Sequence, residues 1–161
     1  MEEKDIEARV EKARALFQEG YNCAQAVFLT YSDMFGMDTA LAAQLAASFG
    51  GGMGRMREVC GTVSGMAMIA GLMELANDPK DKEAKARNAA LVREFADAFR
   101  QKNGSIICRE LLGLDKKEGD ASVHPASAHA QGLWPLPPGL WGRNWPDNEE
   151  INRKEGHGKF Q

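Results

Sequence analysis

The chain has 161 residues, 43% of them hydrophobic and 27% charged, with a net charge of −3. That length suits one domain with its own hydrophobic core, and the slightly acidic balance gives no reason to expect nucleic acid or an anionic membrane as a partner. Three cysteines, an odd number with wide spacing, argue against a secreted disulfide scaffold and for a reducing, cytoplasmic setting.

The first seventeen residues are charged and lack the apolar core of a signal peptide. Ile6, Val10, Ala13 and Phe17 recur at helical spacing, with Leu16 beside them, and predict a first helix that Gly20 ends. Asn22 reads as an N-cap with Gln25 as its capping-box partner, opening a second helix from Cys23 to about Met34. Asp38 caps a third, from Thr39 to Phe49, rich in Ala. Gly50-Gly51-Gly52-Met53-Gly54 cannot continue it, since each glycine costs roughly 1 kcal/mol relative to Ala in a helix. A fourth helix is predicted from Val59 to Ala76, ended by Asn77-Asp78-Pro79. Its apolar run, Val59 to Met73, is shorter than the ~20 residues of a membrane span, so it reads as a core helix. A fifth follows from Lys80 to Lys102, with Ala84, Ala90, Leu91, Phe95, Ala98 and Phe99 facing inward. Ser105 caps a short sixth, Ile106 to Leu112, in which Cys108 takes the third position. Period-two alternation is absent, so the fold class is all-α: a single-domain bundle of five or six helices over residues 1–115.

Residues 116–161 have a different character, an irregular tail rich in Pro, Trp and Gly. All three His, all three Trp and five of the six Pro fall there, and helical periodicity stops. The stretch GLWPLPPGLWGRNWP is too rich in Pro for regular structure and too aromatic for a simple solvated linker.

The cysteines are the first candidates for chemistry. Cys23 and Cys108 fall in the first turns of their helices, and Cys60 follows Arg55 and Arg57. Unpaired amides, the positive helix end and nearby guanidinium groups all lower a thiol pKa, so thiolate character is expected. The plain alternative is that each is a small buried hydrophobe. A second candidate is the glycine loop running into Cys60-Gly61-Thr62-Val63-Ser64-Gly65. Gly51, Gly52, Gly54, Arg55, Gly61 and Gly65 are its candidate ligand-binding residues: loop amides with an arginine form an anion site, and small residues on a helix face let a ligand approach. Tight helix–helix packing explains the same small residues. The loop lacks the G-K-[ST] ending of a P-loop. No C-x-x-C pair and no His before His124 occur, so spacing gives no metal signature and no His partner for a cysteine nucleophile.

Four segments in this order carry a resemblance: Tyr21 to Val27 (YNCAQAV), Phe49 to Gly54 (FGGGMG), Cys60 to Gly65 (CGTVSG) and Asn103 to Gly113 (NGSIICRELLG). The pattern, over roughly residues 5–115, resembles the C_GCAxxG_C_C family of redox-active proteins, with Thr62 where the family motif C-G-A-x-x-G has Ala. Of the family's four cysteines three map here, to Cys23, Cys60 and Cys108; none follows Cys108. The family is similar to a domain of split-Soret cytochromes, which are dimers carrying haem and an iron–sulfur centre. The resemblance therefore implies an all-α domain, a homodimer with a separate redox partner, and thiol–disulfide or iron–sulfur chemistry. Cys23, Cys60 and Cys108 would be its catalytic residues or metal ligands. Haem is not implied, because no C-x-x-C-H attachment site is present. The odd tail and the missing cysteine have a common explanation in a frame shift near residue 117 relative to the family.

Three readings follow. One is a redox protein using clustered cysteines, as a thiol–disulfide couple or an iron–sulfur electron-transfer site. Another is a non-enzymatic module binding a small molecule or anion at the glycine loop and Arg55 and Arg57. The third is a structural helical dimer. Clustering of the three sulfurs separates the first from the second.

Overall fold

The computed structural model describes residues 3–114, which form six α-helices and a 3₁₀ turn: α1 Glu3–Gln18, α2 Cys23–Ser32, the 3₁₀ turn Asp33–Phe35, α3 Thr39–Ala47, α4 Gly61–Met73, α5 Lys82–Asn103 and α6 Cys108–Leu111. The all-α expectation holds among the described residues, where extended pairing is confined to one antiparallel bridge, Val59 to Ile107. The expected tail and its frame shift lie outside the described residues.

Helix α2 is the centre of the bundle. All its residues from Ala24 to Ser32 except Gln25 are buried, as expected of a helix that is apolar all round. It packs on α4, α3 and α1, and α4 packs in turn on α5. The α2–α4 contact is close because Gly65 has no side chain: a Cβ there would lie 2.8 Å from Val27 Cβ and 3.0 Å from the Ala24 carbonyl. On α5 the inward stripe is Ala84, Leu91, Phe95 and Phe99. Ala90, expected inside, is exposed, because at this register it falls on the solvent side of the 84-91-95-99 stripe.

Several helix ends fall short of the predicted bounds, each for a local reason. After Ser32 the chain tightens into the 3₁₀ turn and Gly36 leaves in the left-handed region at φ 64°. Helix α4 begins at Gly61 rather than Val59, because Val59 and Cys60 are held extended against Ile106 and Ile107. It ends at Met73, where Asn88 of α5 donates its side-chain amide to the Ala70 and Glu74 carbonyls. Ser105 does not cap α6 directly: its hydroxyl accepts from the Ile107 amide at 3.0 Å, and Ile107 is the N-cap, so Cys108 is the first helical residue rather than the third.

Candidate functional site

Three helix starts meet at one end of the bundle, and each carries a cysteine. Cys23 is the first residue of α2, Cys60 the N-cap of α4 and Cys108 the first residue of α6. All three line one cavity of about 320 Å³. None is in a disulfide.

Local sequence fixes each position. Ahead of Cys23, Gly20 at φ 106° closes α1 with the paired bonds of a Schellman turn: the Gly20 amide donates to Phe17 O at 3.1 Å and the Tyr21 amide to Leu16 O at 3.2 Å. Asn22 and Gln25 then form the capping box, each side-chain oxygen accepting the other residue's amide at 3.0 Å. Their remaining amide groups reach α3, Asn22 donating to Ala47 O at 2.8 Å and Gln25 to Ala43 O at 2.9 Å. Two of these four bonds close the start of α2 and the other two hold it against the C-terminal half of α3.

Cys60 and Cys108 are joined through the bridge. The Cys60 amide donates to Ile106 O at 2.8 Å and the Cys108 amide to Glu58 O at 2.6 Å, on either side of Val59 and Ile107. Side chains alternate faces in such a pair, so positions 60 and 108 face one side while 59 and 107 face the other. Arg109 reinforces the join with an ion pair to Glu58 at 2.8 Å.

The glycine loop lies against this arrangement in an unusual conformation. Five successive residues, Gly51 to Arg55, have positive φ, and Arg57 follows at 63°. Three of these six are not glycine, and left-handed backbone costs an L-residue roughly 1–2 kcal/mol. Amide bonds from Arg57 to Gly51 O and from Glu58 to Gly52 O, both 3.1 Å, lock the loop. Gly52 and Gly61 each bring backbone up to a cysteine. A Cβ on Gly52 would sit 2.7 Å from Cys108 Cβ, and one on Gly61 would sit 3.1 Å from Cys23 Cβ.

Of the six sequence-predicted loop residues, Gly51, Gly52 and Gly61 line the cavity; Gly54, Arg55 and Gly65 do not. Arg55 folds its stem back over Gly51, and Gly65 is occupied in helix packing. Arg57 lines the cavity instead, and its guanidinium donates to Cys108 Sγ at 3.9 Å. Phe17, Tyr21, Leu111 and Leu112 form apolar walls; the last three lie within the segments that carry the resemblance but are not among the sequence-predicted site residues. Arg57 is the single charged residue among the described ones that line the cavity.

The expected thiolate character does not hold for two of the cysteines. Burial pushes the Cys23 thiol up to about 12 from an ordinary 9.0, and the neighbouring Cys60 and Cys108 sulfurs push the same way, against the Cys23 amide and the Arg57 charge. Burial also raises Cys60, although the Thr62 amide and hydroxyl and the Val63 amide act to lower it. Part of that opposition comes from Thr62 standing where the motif has Ala. Both thiols are protonated near neutral pH.

Residues 21–131 match the family model described as Putative redox-active protein (C_GCAxxG_C_C). The chain belongs to that family. The C_GCAxxG_C_C match begins later than the resemblance read from the sequence and extends past residue 115. It includes all three cysteines and the whole glycine loop. No curated protein and no solved structure matches the chain. Among the described residues, no helix is long and apolar enough to cross a membrane, and no group of three or more His, Cys, Asp or Glu is arranged to hold a metal ion.

Proposed function

We propose that this C_GCAxxG_C_C protein is a thiol–disulfide redox protein whose working sulfurs belong to Cys23, Cys60 and Cys108. The observation that carries the reading is the shared cavity: three cysteines far apart in sequence line one space, each presented by a separate helix start. That convergence favours redox chemistry over the simple binding module. In the reaction two thiols lose two electrons and two protons and join as a disulfide, and a two-electron acceptor of the disulfide class takes up both. The test is oxidation of the reduced full chain with diamide, followed by thiol counting and peptide mapping under denaturing conditions. The three free thiols should fall to one, with an intrachain bond between two of the cavity cysteines. Persistence of all three as thiols would refute the reading.

A second reading is an iron–sulfur electron-transfer site, favoured by the cavity volume, which exceeds what a disulfide occupies. Such clusters usually take four cysteine ligands, and this chain has three cysteines. The described residues on their own therefore do not fit a cluster, which would require a ligand from elsewhere. Visible absorption bands in anaerobically purified protein that bleach with dithionite would establish this reading over the first. We also infer a cytoplasmic homodimer acting with a separate redox partner. Helix α3 supports the dimer: it has no charged residue, and its Leu41 and Leu45 are about half exposed, at 49% and 48%.

A further inference from the structure

The three cysteines are not equivalent, and the differences assign an order of reaction. Arg57 donates a hydrogen bond to one of them only, its guanidinium to Cys108 Sγ at 3.9 Å, although its charge also reaches Cys23. Its backbone is held at φ 63°, a conformation unfavourable for an arginine, by its amide bond to Gly51 O and by its own carbonyl, which accepts from the Arg109 amide at 3.1 Å. Non-glycine residues in such conformations cluster at functional sites, where surrounding structure enforces them. Gly52 closes over the same cysteine. A cation next to a sulfur favours thiolate, the form that attacks a disulfide. Cys60 is the candidate to complete the bond, because it sits diagonally from Cys108 on the same face of the Val59–Ile107 bridge. Diagonal neighbours are about 7–8 Å apart and a disulfide needs Cα atoms within ~7 Å, so closure takes a shift of about an ångström. The cavity is of small-molecule size, its walls include Phe17, Tyr21, Leu111 and Leu112, and its charge among described residues comes from Arg57 alone.

We propose that Cys108 is the attacking thiol, that Cys60 resolves the product, and that the oxidant is a small anionic disulfide whose charge pairs with Arg57. The proposal rests on the thiol–disulfide reading above. Cys108 releases its proton and attacks one sulfur of RS–SR. The substrate S–S bond breaks, RS⁻ leaves and is protonated, and a Cys108–S–S–R mixed disulfide remains. Cys60, on losing its proton, attacks the Cys108 sulfur, the second RS⁻ leaves and is protonated, and the Cys60–Cys108 bond closes. The protein has lost two electrons and two protons; RS–SR has gained both and departs as two RSH. Cys23 stays a thiol throughout.

Three small disulfides of similar size separate the contributions: 3,3′-dithiodipropionate is anionic, 2-hydroxyethyl disulfide neutral and cystamine cationic. The reduced full chain should react in that order, fastest with the anion. Peptide mapping of Cys60→Ser should find the mixed disulfide trapped on Cys108. Arg57→Gln should abolish the charge order and slow the anionic reagent by about tenfold or more, since two unit charges at contact interact by more than the equivalent of one decade. Arg57→Lys should retain the order, and thermal melts of both variants check that they fold. A first adduct on Cys23 or Cys60, or a charge order untouched in a folded Arg57→Gln, overturns the proposal. If diamide still forms an intrachain disulfide in those cases, the thiol-couple reading stands and only the assignment fails. If no oxidant forms one, both fail.

Discussion

Gly52 and Gly54 provide a paired test of how closely the glycine loop approaches the cysteine site. Both have positive φ, 69° and 57°, in one continuous left-handed segment. An alanine at either position suffers the same backbone penalty, roughly 1–2 kcal/mol, and gains the same small stabilisation through a less flexible unfolded chain. Their surroundings differ. A Cβ at Gly54 meets nothing within 4 Å, whereas one at Gly52 would lie 2.7 Å from Cys108 Cβ, 2.7 Å from the Glu58 nitrogen and 2.9 Å from the Arg57 carbonyl carbon. Two of those three neighbours are backbone in the bridged arm and cannot rotate away, so overpacking adds about 1–3 kcal/mol at Gly52. Gly54→Ala should therefore lower the melting midpoint by about 3–6 °C and Gly52→Ala by about 10 °C, at 2–4 °C per kcal/mol for a chain near this size. Differential scanning calorimetry of the two variants beside the parent measures the difference. Alkylation of Cys108 in the native state should change in Gly52→Ala and not in Gly54→Ala. Equal midpoint losses would sink the argument that Gly52 is required by contact with Cys108.

Stability should fall in alkali in a way that depends on Cys23. Its folded pKa of about 12 lies above the ordinary 9.0, so the protonated thiol is favoured by folding; that contribution is whole below pH 9 and is lost as pH rises from 9 toward 12. The slope is about 1.36 kcal/mol per pH unit for one proton. Urea unfolding at pH 8, 9.5 and 10.5 should show a steeper decline in the parent than in Cys23→Ser; burial also raises Tyr31, but that effect is common to both proteins. Parallel declines would exclude Cys23 as the source. Asn22→Ala should cost about 1–2 kcal/mol, since it removes the capping-box bond that the Asn22 side chain accepts from the Gln25 amide and the bond it donates to Ala47 O, leaving only the backbone half of the box. Asn22→Asp should recover part of that loss in the same urea experiment by restoring the cap alone. Leu45→Glu should shift the protein toward monomer in sedimentation velocity if α3 is the dimer face, with no effect on the diamide disulfide.

Helix positions were readable because their signals are local. The capping box at Asn22 and Gln25, the C-terminal glycines at positions 20, 36 and 104, and the 84-91-95-99 stripe of α5 are all decided within a few residues of chain. The start of α4 was not readable, because nothing near Val59 announces that it will be held extended by Ile107, forty-eight positions later. The same non-local pairing moved Cys108 to the first position of α6 and made Arg57, rather than Arg55, the arginine of the cavity. Arg55 and Arg57 are indistinguishable by residue type and nearly so by position. What separates them is that the left-handed segment turns the stem of Arg55 back onto Gly51.

The protonation state of the cysteines shows how magnitude, not residue pattern, decides a site. Cys23 opens α2 as expected, yet the inference from that placement to thiolate reverses for it. A helix N-terminus contributes typically 0.3–1 kcal/mol to a nearby negative charge and at most about 2. Moving a thiol from 9.0 to about 12 corresponds to roughly 4 kcal/mol in the other direction, with burial the largest cause. Desolvation wins because Cys23 faces a cavity with apolar walls, and because any thiolate there must also sit beside two other sulfurs. Only Cys108 accepts a bond from Arg57 among the described cysteines, and that contact rather than helix-start placement distinguishes it from the other two. Burial alone does not select it, since Cys60 and Cys108 are both buried and Cys23 is the least buried of the three; in the proposed order the selection falls to the Arg57 contact.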